Sequence, residues 1–124
     1  MRAVRKARGA AARLSGRRGE VLAALWLMAK GYRILGFRLT ATQGEIDLLA
    51  IRSGVLAVVE VKKRRTLEVA LEAVRPDQRQ RLRRAAAQIA SRRPALKNAA
   101  IRLDLFALAP GRRPRHIPDA WPGG

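Results

Sequence analysis

At 124 residues the chain is sized for one domain, and its 48% apolar residues supply a modest core. The absence of cysteine excludes disulfides, thiolate catalysis and sulfur-based zinc sites, so any metal must use oxygen ligands. Twenty-seven Lys and Arg against nine Asp and Glu give a net charge of +18, which calls for a polyanionic partner. Nucleic acid is the first candidate because phosphate neutralisation with counterion release supplies most non-specific affinity, although anionic membrane or ribosomal RNA satisfies the same charge.

Residues 2–18 carry seven basic side chains and no acid, so residues 1–15 read as a basic, solvated segment, in preference to a specific DNA-binding arm, ahead of an α/β domain at 16–109. No apolar run approaches the roughly 20 residues of a transmembrane helix. Glu20 intrudes before the run at 21–29 and no small-residue cleavage site follows it, so the expected location is the cytoplasm, without a membrane partner. Over residues 16–30 the positions Val21, Leu22, Leu25, Trp26, Met28 and Ala29 follow helical spacing, and Gly31 marks the stop of a core-packing helix. Glu20 falls in its first turn, where the helix dipole favours a carboxylate. Residues 32–39 predict a first strand, followed by a polar link at 40–44.

Residues 44–64 read GEIDLLAIRSGVLAVVEVKKR and hold three of the nine acids, Glu45, Asp47 and Glu60. Period-two alternation puts Glu45 and Asp47 on one face of the first run, and Glu60 and Lys62 on one face of the second. Ser53-Gly54 is a turn signal, so the two runs form an antiparallel hairpin that brings the carboxylates together. In a purely structural role their repulsion and desolvation only cost stability. A divalent cation resolves the conflict: Mg²⁺, or Mn²⁺ in its place, takes oxygen ligands, lowers the pKa of bound water and neutralises phosphate charge. Lys62 is placed to orient the attacking water or stabilise the phosphorane. Asp47, Glu60 and Lys62 thus supply the parts for metal-assisted phosphodiester hydrolysis.

Beyond the hairpin, Glu68 and Glu72 are spaced as a solvent-facing helical pair. Pro76 opens a second helix whose narrow apolar face is Leu82, Ala85, Ala86, Ile89 and Ala90, with Arg79, Arg81, Arg83 and Arg84 on its other faces. Residues 100–108 predict a last strand, parallel to the hairpin through the helical crossover, with Asp104 read as a hydrogen-bonded structural carboxylate in preference to an outlying member of the acidic site. Residues 110–124 are Pro-rich and predict a tail without regular structure, docked through Ile117 and Trp121. His116, the only histidine, has no second ligand in motif spacing.

GEIDLLA followed by VVEVKKR, with Gly19-Glu20, Gly31-Tyr32, Arg102-Leu103-Asp104 and His116-Ile117-Pro118-Asp119-Ala120-Trp121 in order around it, resembles the YraN-like family of small bacterial proteins. That family is assigned to the PD-(D/E)xK nuclease superfamily, with a fold like that of Holliday-junction resolvases. The resemblance implies a restriction-endonuclease-like core, α-β-β-β-α-β, as a single domain with a mixed sheet flanked by helices. It also implies a metal site of Asp47, Glu60, the Val61 carbonyl and Glu20 from the first helix, with Glu45 in support. Where the family has a lysine near the start of the second helix, this chain has Gln78, which can hydrogen-bond a phosphate or water but carries no charge. Arg64, Gln78, Arg79, Arg81, Arg83 and Arg84 are the expected nucleic-acid contacts. The expected activity is metal-dependent cleavage of DNA, structured or branched, for which a two-fold homodimer suits paired incisions. The alternative is a non-catalytic nucleic-acid-binding module that keeps the fold.

Overall fold

The computed structural model describes residues 17–123. Helix α1 occupies 17–29 and three antiparallel strands follow, β1 (Arg33–Ala41), β2 (Gly44–Arg52) and β3 (Val55–Lys63). A short α2 (Leu67–Glu72) and a longer α3 (Pro76–Ser91) lead through a 3-10 turn (Pro94–Leu96) to β4 (Ala100–Leu108) and β5 (Arg115–Ile117). The sheet order is β1-β2-β3-β4-β5, with β3 and β4 parallel and every other pair antiparallel. This is the expected single α/β domain with the order α-β-β-β-α-β. The basic segment at 1–15 lies outside the described residues.

Both faces of the sheet are covered. On one, Ala23, Ala24 and Leu27 of α1 pack with Leu48, Ala50, Ala57, Val59 and Phe106. On the other, Leu82, Ala85, Ala86 and Ala90 of α3 pack with Leu49, Leu56, Val58, Leu103 and Leu105. Helix α1 ends as expected: Gly31 has φ +91°, its N–H donates to the Met28 carbonyl and that of Tyr32 to the Leu27 carbonyl, a Schellman closure.

The face that α1 buries differs from the expected one. Val21, Leu25 and Met28 are 50%, 58% and 56% exposed, Leu22 and Ala29 also face outward, and the buried stripe is Glu20, Ala23, Ala24 and Leu27. Close approach selects the small residues. A Cβ on Gly19 would stand 3.2 Å from both the Leu108 and Val61 side chains, so the start of the helix lies too close to the sheet for a side chain there. Trp26 is half-buried and meets Phe106 edge-on at 6.2 Å, a packing role as expected.

The central hairpin forms as read. Ser53 and Gly54 have φ 49° and 74°, the two positive values that a two-residue type I′ turn requires. Thr66 caps α2 by accepting from the Val69 N–H at 3.2 Å, and Pro76 opens α3. The C-terminal stretch departs from expectation, because Arg115–Ile117 pairs with Leu105–Ala107 as a fifth strand. Trp121 is buried and donates Nε1–H to the Leu71 carbonyl at 3.0 Å. Among the described residues no helix is long and apolar enough to cross a membrane.

Candidate metal and nucleic-acid site

The site begins where the hairpin comes apart. The β2–β3 ladder runs from Arg52–Val55 to Leu48–Val59 and stops, although β2 continues back to Gly44 with β1 and β3 continues to Lys63 with β4. Past Leu48 and Val59 the two central strands splay, and Asp47 and Glu60 are the first residues in the gap. Here Asp47 replaces a ladder bond with its side chain, as Oδ2 accepts from the Val61 N–H at 3.0 Å.

Alternation along β2 also fails here. Ile46 belongs to the α3-side core and Leu48 to the α1-side core, two positions that a regular strand would place on one face. The irregular rung is shared with β1: the register Phe37–Leu48 and Leu39–Ile46 sets Arg38 opposite Asp47, and Arg38 has φ 48°. Left-handed backbone at a non-glycine residue costs on the order of 1–3 kcal/mol and persists where its surroundings enforce it.

Glu60 is 3% exposed, and its Oε1 is buried with no hydrogen-bond partner among the described residues. Its Oε2 lies 3.9 Å from the Lys62 ammonium, a long ion pair. Burial first, and then the neighbouring Asp47 charge, push the Glu60 carboxyl up to about 8, against the pull of Lys62. Asp47 is also raised, chiefly by burial and further by Glu20 and Glu45, while the Val61 N–H and Lys62 oppose the shift. The pair is therefore short of positive charge.

Asp47, Glu60, Lys62 and the Val61 backbone are thus brought together. Glu20 reaches the same region from α1, but both of its carboxylate oxygens accept from Arg38 Nε, at 3.0 and 3.1 Å. Glu45 is exposed and acts on Asp47 and Arg38 at Coulombic range. Among the described residues no three acidic or histidine side chains converge closely enough to hold a metal ion as they stand. Arg38 is the residue that sequence reasoning missed. Inside a strand pattern, nothing local marks an arginine for left-handed backbone.

Of the expected nucleic-acid contacts, Gln78 and Arg81 share a hollow with Gln43, Gly44 and Glu45, beside the acidic end of β2. Arg81 also pairs with Asp77 at 3.5 Å, and Arg84 is exposed. Arg83 is half-buried, and Arg64 is exposed with Nη1 donating to the Lys63 carbonyl. Arg79 is engaged within the fold: Nε donates to the Val74 carbonyl and the guanidinium lies 5.2 Å over the Trp121 ring.

Asp104 has the structural role expected of it. Fully buried, it accepts from Arg102 Nε at 2.7 Å and from the Asp119 N–H at 3.0 Å, and it is 2.8 Å from His116 Nε2. Burial pushes its carboxyl up, but these hydrogen bonds outweigh burial and hold it below the usual range. The lone histidine thus clasps the C-terminal stretch onto the sheet.

The model of the uncharacterised protein family UPF0102 matches residues 19–108, a span that includes the splayed hairpin. A UPF0102 protein of Caulobacter sp. (strain K31) is 73% identical over 120 residues, covering 97% of this chain and 86% of its own. One from Caulobacter vibrioides (strain NA1000 / CB15N) is 68% identical, covering 97% and 96%. A third, from Paramagnetospirillum magneticum, is 50% identical over 115 residues, covering 90% and 89%.

Proposed function

The chain belongs to the uncharacterised protein family UPF0102, and from that premise we propose that it is a nuclease of the PD-(D/E)xK type that hydrolyses DNA phosphodiesters with a divalent cation. One observation carries the reading: a buried Glu60 oxygen without a partner among the described residues, beside a second desolvated carboxylate, in the gap between two splayed strands. Unpartnered buried polar atoms are rare, and each calls for an ion, a water or a catalytic role. The donor set is all oxygen, as Mg²⁺ or Mn²⁺ prefers. Asp47 and Glu60 would hold the cation, with the Val61 carbonyl in support, and Glu20, held by Arg38, would add its negative charge beside them.

Bound there, such a cation supplies a water of lowered pKa and charge neutralisation at the phosphate. Lys62, half-buried and 3.9 Å from Glu60, orients the water or donates to the phosphate oxygens as negative charge builds on them. Gln78 and Arg81, across the hollow from Glu45, hold the backbone of the substrate.

The test is cleavage of duplex, single-stranded, flap and junction DNA with Mg²⁺, Mn²⁺ or EDTA. Cleavage is expected only with metal, and Lys62→Met should lower turnover by about 10² to 10⁴ while binding DNA as the parent does. Loss of DNA binding in that variant, or unchanged turnover, would remove Lys62 from the chemistry. A second reading, a binding module without activity, is favoured by the lack of three converging acidic or histidine side chains among the described residues. It predicts metal-independent DNA binding and no cleavage under any of these conditions.

A further inference from the structure

A cleft of about 290 Å³ lies between α1 and β1, lined by Arg17, Glu20, Val21, Phe37 and Arg38, and Asp47, Glu60 and the α3 arginines are not among its walls. Its walls combine apolar and charged side chains. Phe37 is 43% exposed on a strand, and Val21 opposite it is also turned to solvent. Two arginines stand beside this apolar wall. Glu20 fixes one of them, because Arg38 Nε donates to both of its oxygens, and among the described residues neither Nη group of Arg38 has a hydrogen-bonded acceptor. The guanidinium is thus anchored at its inner edge with its outer edge open. Arg38 has left-handed backbone, φ 48°, and Asp47 is its neighbour across the rung.

We propose that this cleft binds one unpaired nucleotide of a DNA strand adjacent to the carboxylate pair, with the base on Phe37 and Val21 and the phosphate on Arg38 and Arg17. The inference rests on the nucleic-acid reading above and adds a preference for single-stranded or splayed substrate. Duplex offers this cleft only phosphates, since its base faces are already stacked. An exposed aromatic ring next to cations is what a base released from stacking can use. The planar guanidinium held by a carboxylate presents its remaining N–H groups to a phosphate in a fixed direction.

Binding of a fluorescent oligothymidylate and of a blunt duplex, measured by anisotropy in EDTA, tests this without any cleavage. Phe37→Ala should weaken single-strand binding by roughly 5- to 100-fold, the range for losing one base–aromatic stack. Phe37→Leu keeps the apolar volume and should show a similar loss, which guards against a folding defect in the alanine variant. Arg38→Asn, a residue that tolerates left-handed backbone, should weaken single-strand binding as well. All three should leave duplex affinity within about 2-fold, since phosphate contacts elsewhere carry it. Unchanged single-strand affinity in Phe37→Leu and Arg38→Asn, or equal losses for both DNA forms, would overturn the proposal. Because the assay excludes metal, a failed nuclease reading would leave this result standing, and a failed cleft would leave cleavage untouched.

Discussion

At the scale of single residues, the molecule places a destabilising carboxylate at its centre. Glu60 is pushed up to about 8 from an ordinary value of 4.5, so the folded state favours its protonated form. A raised acid pKa contributes stability below the unfolded value near 4.5, and that contribution is lost as the pH rises through about 8. In EDTA the melting temperature of the parent should therefore fall from about pH 5 to about pH 8, with a free-energy slope approaching 1.4 kcal/mol per pH unit for one proton. Glu60→Gln should flatten that slope and melt higher than the parent at pH 8. A variant with the parent's slope would assign the pH dependence elsewhere. Asp47, Glu60 and Lys62 were legible in the sequence because ExK after a turn brings them close with no tertiary information. Arg38 was not, since its left-handed backbone follows from an irregular rung shared by two strands.

At the scale of elements, turn chemistry was more informative than hydrophobicity. Ser53-Gly54 announced the hairpin, and Gly31 and Pro76 announced a helix end and a helix start, because each acts through its own backbone. The buried face of α1 was misread. Counting large apolar side chains selected Val21, Leu25 and Met28, whereas close packing on the sheet selected Ala23 and Ala24. Ala23→Leu should accordingly cost about 1–3 kcal/mol by overpacking, and Leu25→Ala should stay within about 0.5 kcal/mol, both measured by urea unfolding. The reverse order would restore the face expected from hydrophobicity. Strand β5 was also missed, because its pairing depends on Asp104 reaching His116 and the Asp119 N–H from a distant part of the chain.

At the scale of the whole molecule, a net charge of +18 surrounds an acidic gap in the sheet. The basic exterior should bind duplex DNA without metal, with a slope of about −0.9 in log K against log salt for each phosphate neutralised. Replacing Arg81, Arg83 and Arg84 together should flatten that slope without changing sequence preference, and a triple variant with the parent's salt dependence would move the interface off α3. The overall architecture was legible because hydrophobic runs of strand length alternate with helical patterns. The splay of β2 from β3 was not, since it depends on which ladder bonds are left unmade. The central claim is that Asp47 and Glu60 form a cation site in that splay. The most direct test is calorimetric titration of Mn²⁺ or Mg²⁺ at pH 8 into the parent and Glu60→Gln, with melting temperatures alongside. The parent should show saturable binding and gain about 1.4 kcal/mol of stability at tenfold excess over Kd, and Glu60→Gln should show neither. A parent that binds no divalent cation at millimolar concentration, even with DNA present, would contradict the claim.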